Sequence, residues 1–270
     1  MVNGFRQLHL SGKPFVLANA WDIGSARMYA ALGAKAIGTS SAAYAFTLGR
    51  ADMGNVTLDE MLAHAEDMVS ATKLPVSGDF ENGFADDPDT VAQTVKLAAE
   101  VGLAGISIED TQLPSANSYS FELAVERIKA AAATARSLST DFILVARADG
   151  LMNNKYDLLD AIKRIQAFES VGADCVYIPC LPSLEAVKTV CQAVSIPVNV
   201  LAVGAITKLS TQQLAAAGVA RISLGSANVS EVHKVMHDTM MAILNQGDFS
   251  RLGNGLPSDY MEELLEKGKQ

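Results

Sequence analysis

The stretch Val101-Gly102-Leu103-Ala104-Gly105-Ile106-Ser107-Ile108-Glu109-Asp110 carries three signals in ten residues. An amphipathic run over 90–101 stops at Gly102, a short apolar segment follows, and that segment ends in two acids. Glycine just past a helix takes the left-handed conformation that closes it, so the order reads helix, turn, buried strand. The same joint recurs as LGAKAIG at Leu32–Gly38, VGADCVY at Val171–Tyr177 and AGVARIS at Ala217–Ser223.

Working outward, eight short apolar runs are candidate strands: Phe15–Trp21, Ala36–Ser41, Pro75–Phe80, Gly105–Asp110, Phe142–Asp149, Cys175–Cys180, Pro197–Ala202 and Arg221–Ser226. They show little polar alternation, which is the pattern of strands covered on both faces. Between them, apolar residues spaced by three and four predict helices, clearest over Leu58–Ala71, Thr90–Val101, Leu123–Leu138, Leu158–Val171 and Leu184–Ala193. Eight such alternations with right-handed crossovers predict an α/β fold, a closed (β/α)8 barrel of TIM type. The rival is an open doubly wound sheet, but no G-x-G-x-x-G follows the first strand. A barrel of about 250 residues is one unit, so residues 1–270 are expected to form a single domain. Residues 227–270 outlast the eighth strand. They predict a long helix to about Asn245, a break at 253–257 and a second helix near Asp259–Lys267. This extension either caps its own barrel or docks on a neighbouring subunit.

Hydrophobic residues make up 49% of the 270 and charged ones 19%, a globular composition. With 21 Lys and Arg against 30 Asp and Glu, the net charge is −9. Such a surface repels nucleic acid and anionic lipid, so neither is expected as a partner. No segment has the roughly 18–20 apolar residues a membrane helix needs, and Met1–Arg6 lacks the features of a signal peptide. Cys175, Cys180 and Cys191 are odd in number and not spaced as CxxC, which fits reduced thiols. The expectation is a soluble, cytoplasmic protein.

In a barrel of this kind chemistry sits where strands end. The second strand ends in Thr39-Ser40-Ser41 with Asp52 in its loop; the third in Asp79-Phe80-Glu81; the fourth in Glu109-Asp110; the fifth in Arg147-Ala148-Asp149. So many carboxylates on one rim are costly without a cation. All the donors are oxygens, which selects Mg2+ or Mn2+ over zinc. Asp79 and Glu81, two residues apart, would share a strand face, with Glu109 completing a triad. Arg147 is the cation at these ends, and its planar fork suits a substrate carboxylate. Asp86, Asp87 and Asp89 surround Pro88 and read as helix-start residues. His233 and His237, four apart beyond the last strand, read as surface residues without a placed acid. The candidate strands contain no lysine for a Schiff base, Lys208 lying in a loop. Gly225-Ser226 is a weak phosphate-loop signal.

The motifs WDIGSAR (Trp21–Arg27), TSSAAYAFTLGRAD (Thr39–Asp52), GDFENGF (Gly78–Phe84), SIED (Ser107–Asp110) and ARAD (Ala146–Asp149) together resemble the phosphoenolpyruvate mutase/isocitrate lyase superfamily. The resemblance covers nearly the whole chain. It implies a barrel whose last helices swap between subunits, a homo-oligomer (dimer or tetramer), a Mg2+ site and small α-oxo or α-hydroxy carboxylate substrates. It further implies Asp79, Glu81 and Glu109 as metal ligands, direct or through water, with Asp52 as an outer acid. Glu81 stands where these enzymes usually have Asp. Ser40, Ser41 and Arg147, with Trp21 of the first motif, are the implied substrate-binding residues.

One segment departs. Isocitrate-type lyases carry a Lys-x-Cys-Gly-His lid after the fourth strand, and this chain reads Pro114-Ser115-Ala116-Asn117 instead. Ser115 replaces the lysine and Asn117 the catalytic cysteine. Asn117 resembles the phosphonopyruvate-handling members, whereas loss of the lysine resembles the oxaloacetate decarboxylase-like ones. Without a titrating lid residue, isocitrate cleavage is disfavoured. The leading expectation is a Mg2+-dependent enzyme that cleaves a C–C bond of a small α-oxo dicarboxylate through a metal-stabilised enolate. Arg147, Asn117 and Asp52 are its catalytic candidates. Two alternatives stand: a phosphoenolpyruvate/phosphonopyruvate mutase or hydrolase, and a binding protein that senses an α-oxo acid without turnover.

Overall fold

The computed structural model describes residues 4–270. Met1, Val2 and Asn3, part of the segment compared with a signal peptide, lie outside the described residues. Ten strands form: β1 (Phe15–Asn19), β2 (Ala36–Gly38), β3 (Val76–Asp79), β4 (Gly105–Glu109), β5 (Thr111–Gln112), β6 (Asn117–Ser118), β7 (Ile143–Arg147), β8 (Cys175–Tyr177), β9 (Val198–Leu201) and β10 (Arg221–Ser223). Eight of them close a parallel barrel in the order β1-β10-β9-β8-β7-β4-β3-β2, while β5 and β6 make a separate antiparallel hairpin. Each predicted strand is present. Each is also shorter than its apolar run.

The helices are α1 (Phe5–Leu10), α2 (Ile23–Ala31), α3 (Ser41–Thr47), α4 (Leu58–Ala71), α5 (Pro88–Glu100), α6 (Phe121–Ser137), α7 (Leu158–Ser170), α8 (Leu184–Ala193), α9 (Thr211–Ala216), α10 (Ala227–Gln246) and α11 (Ser258–Lys267). Side-chain caps fix many of their starts. Thr57 and Glu60 form a reciprocal capping box on α4, and Asp87 accepts from the Thr90 N–H at 2.8 Å on α5. Asp86 departs from its expected helix-start role: its carboxylate accepts from the Tyr119 hydroxyl at 2.6 Å. Gly33, Gly102, Gly172 and Gly218 all have φ between +92° and +105°, as the four joints require.

The core is continuous between barrel and helices, with Ile37, Val76, Ile106, Leu144, Val176 and Val198 buried among Met61, Val95, Ile128 and Ile165. A second cluster fills the barrel's N-terminal end, where Phe5 of α1 packs against Phe15 and His9. Beyond β10 the chain follows its predicted course: α10, a 3-10 turn over Ser250–Asn254, then α11. Helix α11 packs against α2 of the same barrel. Helix α10 leaves Val232, Val235, Met236, Met240, Met241 and Leu244 exposed. No described helix is long and apolar enough to cross a membrane. The three cysteines are free thiols.

Candidate active site

A cavity of about 150 Å3 opens at the C-terminal ends of the barrel strands. Its inner wall comes from the strand ends and the residues just after them: Ser40, Ser41, Asp79, Glu81, Glu109, Arg147, Asp149 and Tyr177. Its outer wall comes from the loops: Asp52 and Met53 after β2, Leu113 after β4 and Met152 after β7. Gly225 and Ser226 also line it, and Ser226 is the N-cap of the twenty-residue α10, whose N-terminus favours an anion.

Five carboxylates thus face one space with one guanidinium among them. Arg147 donates to Asp149 through Nε (3.2 Å) and Nη2 (2.7 Å), while Nη1 reaches Asp79 at 2.8 Å and Glu109 at 3.3 Å. Burial alone would lower the Arg147 pKa, but Asp149, Glu109 and Asp79 outweigh it and leave it well above the ordinary value. The acids respond in the opposite sense. Burial raises Glu81 to about 7, opposed by the Gly54 N–H that its carboxylate accepts at 3.2 Å. Burial, reinforced by Asp149, lifts Glu109 well above the carboxylate range; burial also raises Asp149 and Asp52. One arginine does not neutralise this group.

Asp79 is held from three sides. Ser41 donates to it through its backbone N–H (3.1 Å) and hydroxyl (3.0 Å), and Ser107 does so through its hydroxyl at 3.2 Å. Ser40 instead caps α3, accepting from Ala43 N–H at 3.3 Å. The pair Asp79 and Glu81 does not share a strand face as expected. β3 ends at Asp79, and Glu81 sits at φ +47°, a left-handed turn that brings it back to the cavity. Arg147 also departs from the expected free fork, because the surrounding acids engage it on every edge.

Other candidates fall elsewhere. Trp21 lies outside the cavity lining; its carbonyl pairs with the His64 ring at 3.1 Å and its own ring packs edge-on to Tyr29. Asn117 is exposed on the lid, where its Oδ1 accepts from Lys155 at 3.1 Å, and Ser115 bonds back to the Gln112 carbonyl. His233 and His237 are on exposed α10, and an acid is placed there after all: His237 Nδ1 lies 3.0 Å from Asp238. Asp110 turns away from Glu109 into a buried network, accepting from Asp149 N–H (2.8 Å), Tyr156 hydroxyl (2.7 Å) and Arg164 (3.0 Å). The fully buried Arg127 braces the same rim by donating to the carbonyls of Glu109 at 3.2 Å and Ala85 at 2.8 Å. Sequence reasoning passed over Arg127 and Arg164. Their signal is an arginine among the apolar positions of an amphipathic helix.

The donors fit a hard divalent cation in kind: all are oxygens, and their burial leaves negative charge in excess. Among the described residues no three acid, histidine or cysteine side chains stand in ligating geometry. Arg147 Nη1 lies between Asp79 and Glu109 and takes up both.

Comparison with known proteins agrees with this fold. Residues 5–244 match the family model described as phosphoenolpyruvate phosphomutase. A solved structure from Burkholderia cenocepacia J2315, provisionally described as a lyase/mutase, superposes with a TM-score of 0.92 at 38% identity, covering 97% of this chain and 94% of that one. The oxaloacetate decarboxylase of Paraburkholderia xenovorans is 30% identical over 261 residues, 93% of this chain and 83% of its own. The 2,3-dimethylmalate lyase of Eubacterium barkeri is 29% identical over 252 residues, 89% and 85% of the two chains.

Proposed function

The chain belongs to the phosphoenolpyruvate mutase/isocitrate lyase superfamily, an enzyme group of lyases and mutases, and on that premise we propose that it cleaves a C–C bond of a small α-oxo dicarboxylate, as an oxaloacetate decarboxylase does. The observation that carries this reading is the polarity of the cavity. Its inner end holds four acids and Arg147, with Asp52 in the loop after β2 as a fifth, while its lid contributes Leu113 and no acid, base or cation.

Asp79, Glu81 and Glu109 would hold a Mg2+ ion, with Asp52 and Asp149 as outer charges. That ion supplies electrostatic stabilisation of negative charge developing on the substrate's oxo oxygen. The chain's own residues do the rest. Ser41, whose backbone N–H and hydroxyl already bond Asp79, fixes that carboxylate's orientation. Arg147, whose Nε and Nη2 are held by Asp149, would offer Nη1 to the substrate's C1 carboxylate. The α10 N-terminus at Ser226 adds a favourable field for that anion.

Loss of CO2 needs no general acid for the bond to break, and a cation on the departing carboxylate would hold it back. The lid meets both conditions. Phosphoryl transfer needs cations clamped on the moving group, and Asn117, its proposed positioning residue, points to Lys155 outside the cavity lining. Purified protein with Mg2+ should release pyruvate from oxaloacetate well above the metal-only rate. A rate equal to free Mg2+ would sink the proposal.

A further inference from the structure

We propose that the outer end of this cavity selects substrates with a short alkyl substituent on C3, through an apolar roof made of Met53, Leu113 and Met152. This deepens the proposed function and rests on its reading of the inner end as the seat of the oxo-carboxylate group. The three side chains come from three different loops, after β2, β4 and β7, and all lie beyond the strand ends that carry the acids. Their immediate neighbours are mixed: Asp52 and Gly54 around Met53, Gln112 and Pro114 around Leu113, Leu151 and Asn153 around Met152.

The loops are also fitted to one another. Gly54 has φ +77°, and a Cβ built on it would lie 3.0 Å from the Leu113 Cβ, so the β2 loop passes close under the lid. Asn153 donates to Thr111 at 3.3 Å and Lys155 to Asn117 at 3.1 Å, tying the lid to the loop after β7. Arg147 is the single cation among the described lining residues, and it sits at the strand ends. A group reaching the roof therefore meets methyl, methylene and thioether surface, with Asp52 as the one charge on that side and no cation to offset a negative group. Desolvating a charged group there is unfavourable, whereas an alkyl group gains from burial.

The test separates the two ends by using acids that are not cleaved. With Mg2+ present, calorimetry measures the affinities of oxalate, pyruvate, 2-oxobutanoate and 2-oxopentanoate. Oxalate reports the inner end alone. From pyruvate upward, affinity should rise about fourfold per added methylene. The doubly substituted L113S/M152S protein, checked by thermal melting for retained folding, should lose that gradient. An oxalate complex with affinities that stay flat or fall along the series would overturn the roof and leave the inner-end reading standing. Absence of oxalate binding would overturn both.

Discussion

The two ends of the barrel meet the same backbone problem with different residues. At the N-terminal end, the four helix–strand joints need a left-handed residue, and Gly33, Gly102, Gly172 and Gly218 supply it without a side chain. At the C-terminal rim, six non-glycine residues also take positive φ: Met53, Glu81, Phe84, Ala116, Asn154 and Cys180. A side chain in that region costs roughly 1–2 kcal/mol. Where the chain only has to turn, it uses glycine. The rim also turns on Gly54 and Gly83, but at Glu81 and Met53, which line the cavity, it keeps the side chain and accepts the strain.

The sharpest break between the two ends is catalytic. Asp79→Ala removes the carboxylate that Arg147, Ser41 and Ser107 all contact, and pyruvate release should drop by about 10³-fold or more, to the metal-only background. The Gly33→Ala protein should turn over normally, because a Cβ there meets nothing within 4 Å. A Gly33→Ala enzyme with activity as low as Asp79→Ala would erase the distinction.

Stability should run the other way. Gly33→Ala forces a side chain to φ +96° and should cost about 1–2 kcal/mol in denaturant titration. Glu81→Gly relieves strain at φ +47° and removes a carboxyl that burial already pushes up to about 7. The metal-free protein should then gain on the order of 1 kcal/mol while losing activity. A destabilised Glu81→Gly protein would contradict the view that this residue is kept for chemistry.

The N-terminal end has its own titrating group. His9 is buried between Phe5 and Phe15; burial presses its pKa to about 3, with Arg221 adding to the effect and the Phe5 carbonyl opposing it. The unfolded chain takes up this proton below about 6.5 and the folded one only near 3, so stability is full above pH 6.5 and falls as pH drops through that window. The slope from His9 approaches about 1.4 kcal/mol per pH unit. Burial lowers His64 too, in the same direction. His9→Phe should flatten the acid limb of a melting-temperature profile, and an unchanged limb would rule His9 out as its source. The smallest effect belongs to the lid tip: Ser115→Ala should change pyruvate release by less than about threefold, since its hydroxyl bonds only to the lid's own backbone.

The barrel was legible because strands covered on both faces leave unbroken apolar runs and the joints carry their glycines. Strand ends were less so. Ser40 reads as the end of a strand but caps α3, because a serine Oγ can take either setting. The acids of the rim were legible as a set, yet Glu81's left-handed turn was not, since the turn signal Asn82-Gly83 follows Glu81 and does not fall on it. Met53, Leu113 and Met152 went unseen because isolated apolar residues in loops carry no period. The engagement of Arg147 by three acids depends on the register of β4 and β7, which sets Glu109 opposite Arg147; the barrel predicts these strands as neighbours but not that register.

The central claim is that these rim acids gather one divalent ion with an oxo-carboxylate. Calorimetric titration of oxalate into wild-type and Asp79→Ala protein, with and without Mg2+, tests it most directly. One oxalate per wild-type chain should bind only when Mg2+ is present, and Asp79→Ala should bind none. Equal oxalate affinity in the absence of the metal, or in the Asp79→Ala protein, would contradict the account.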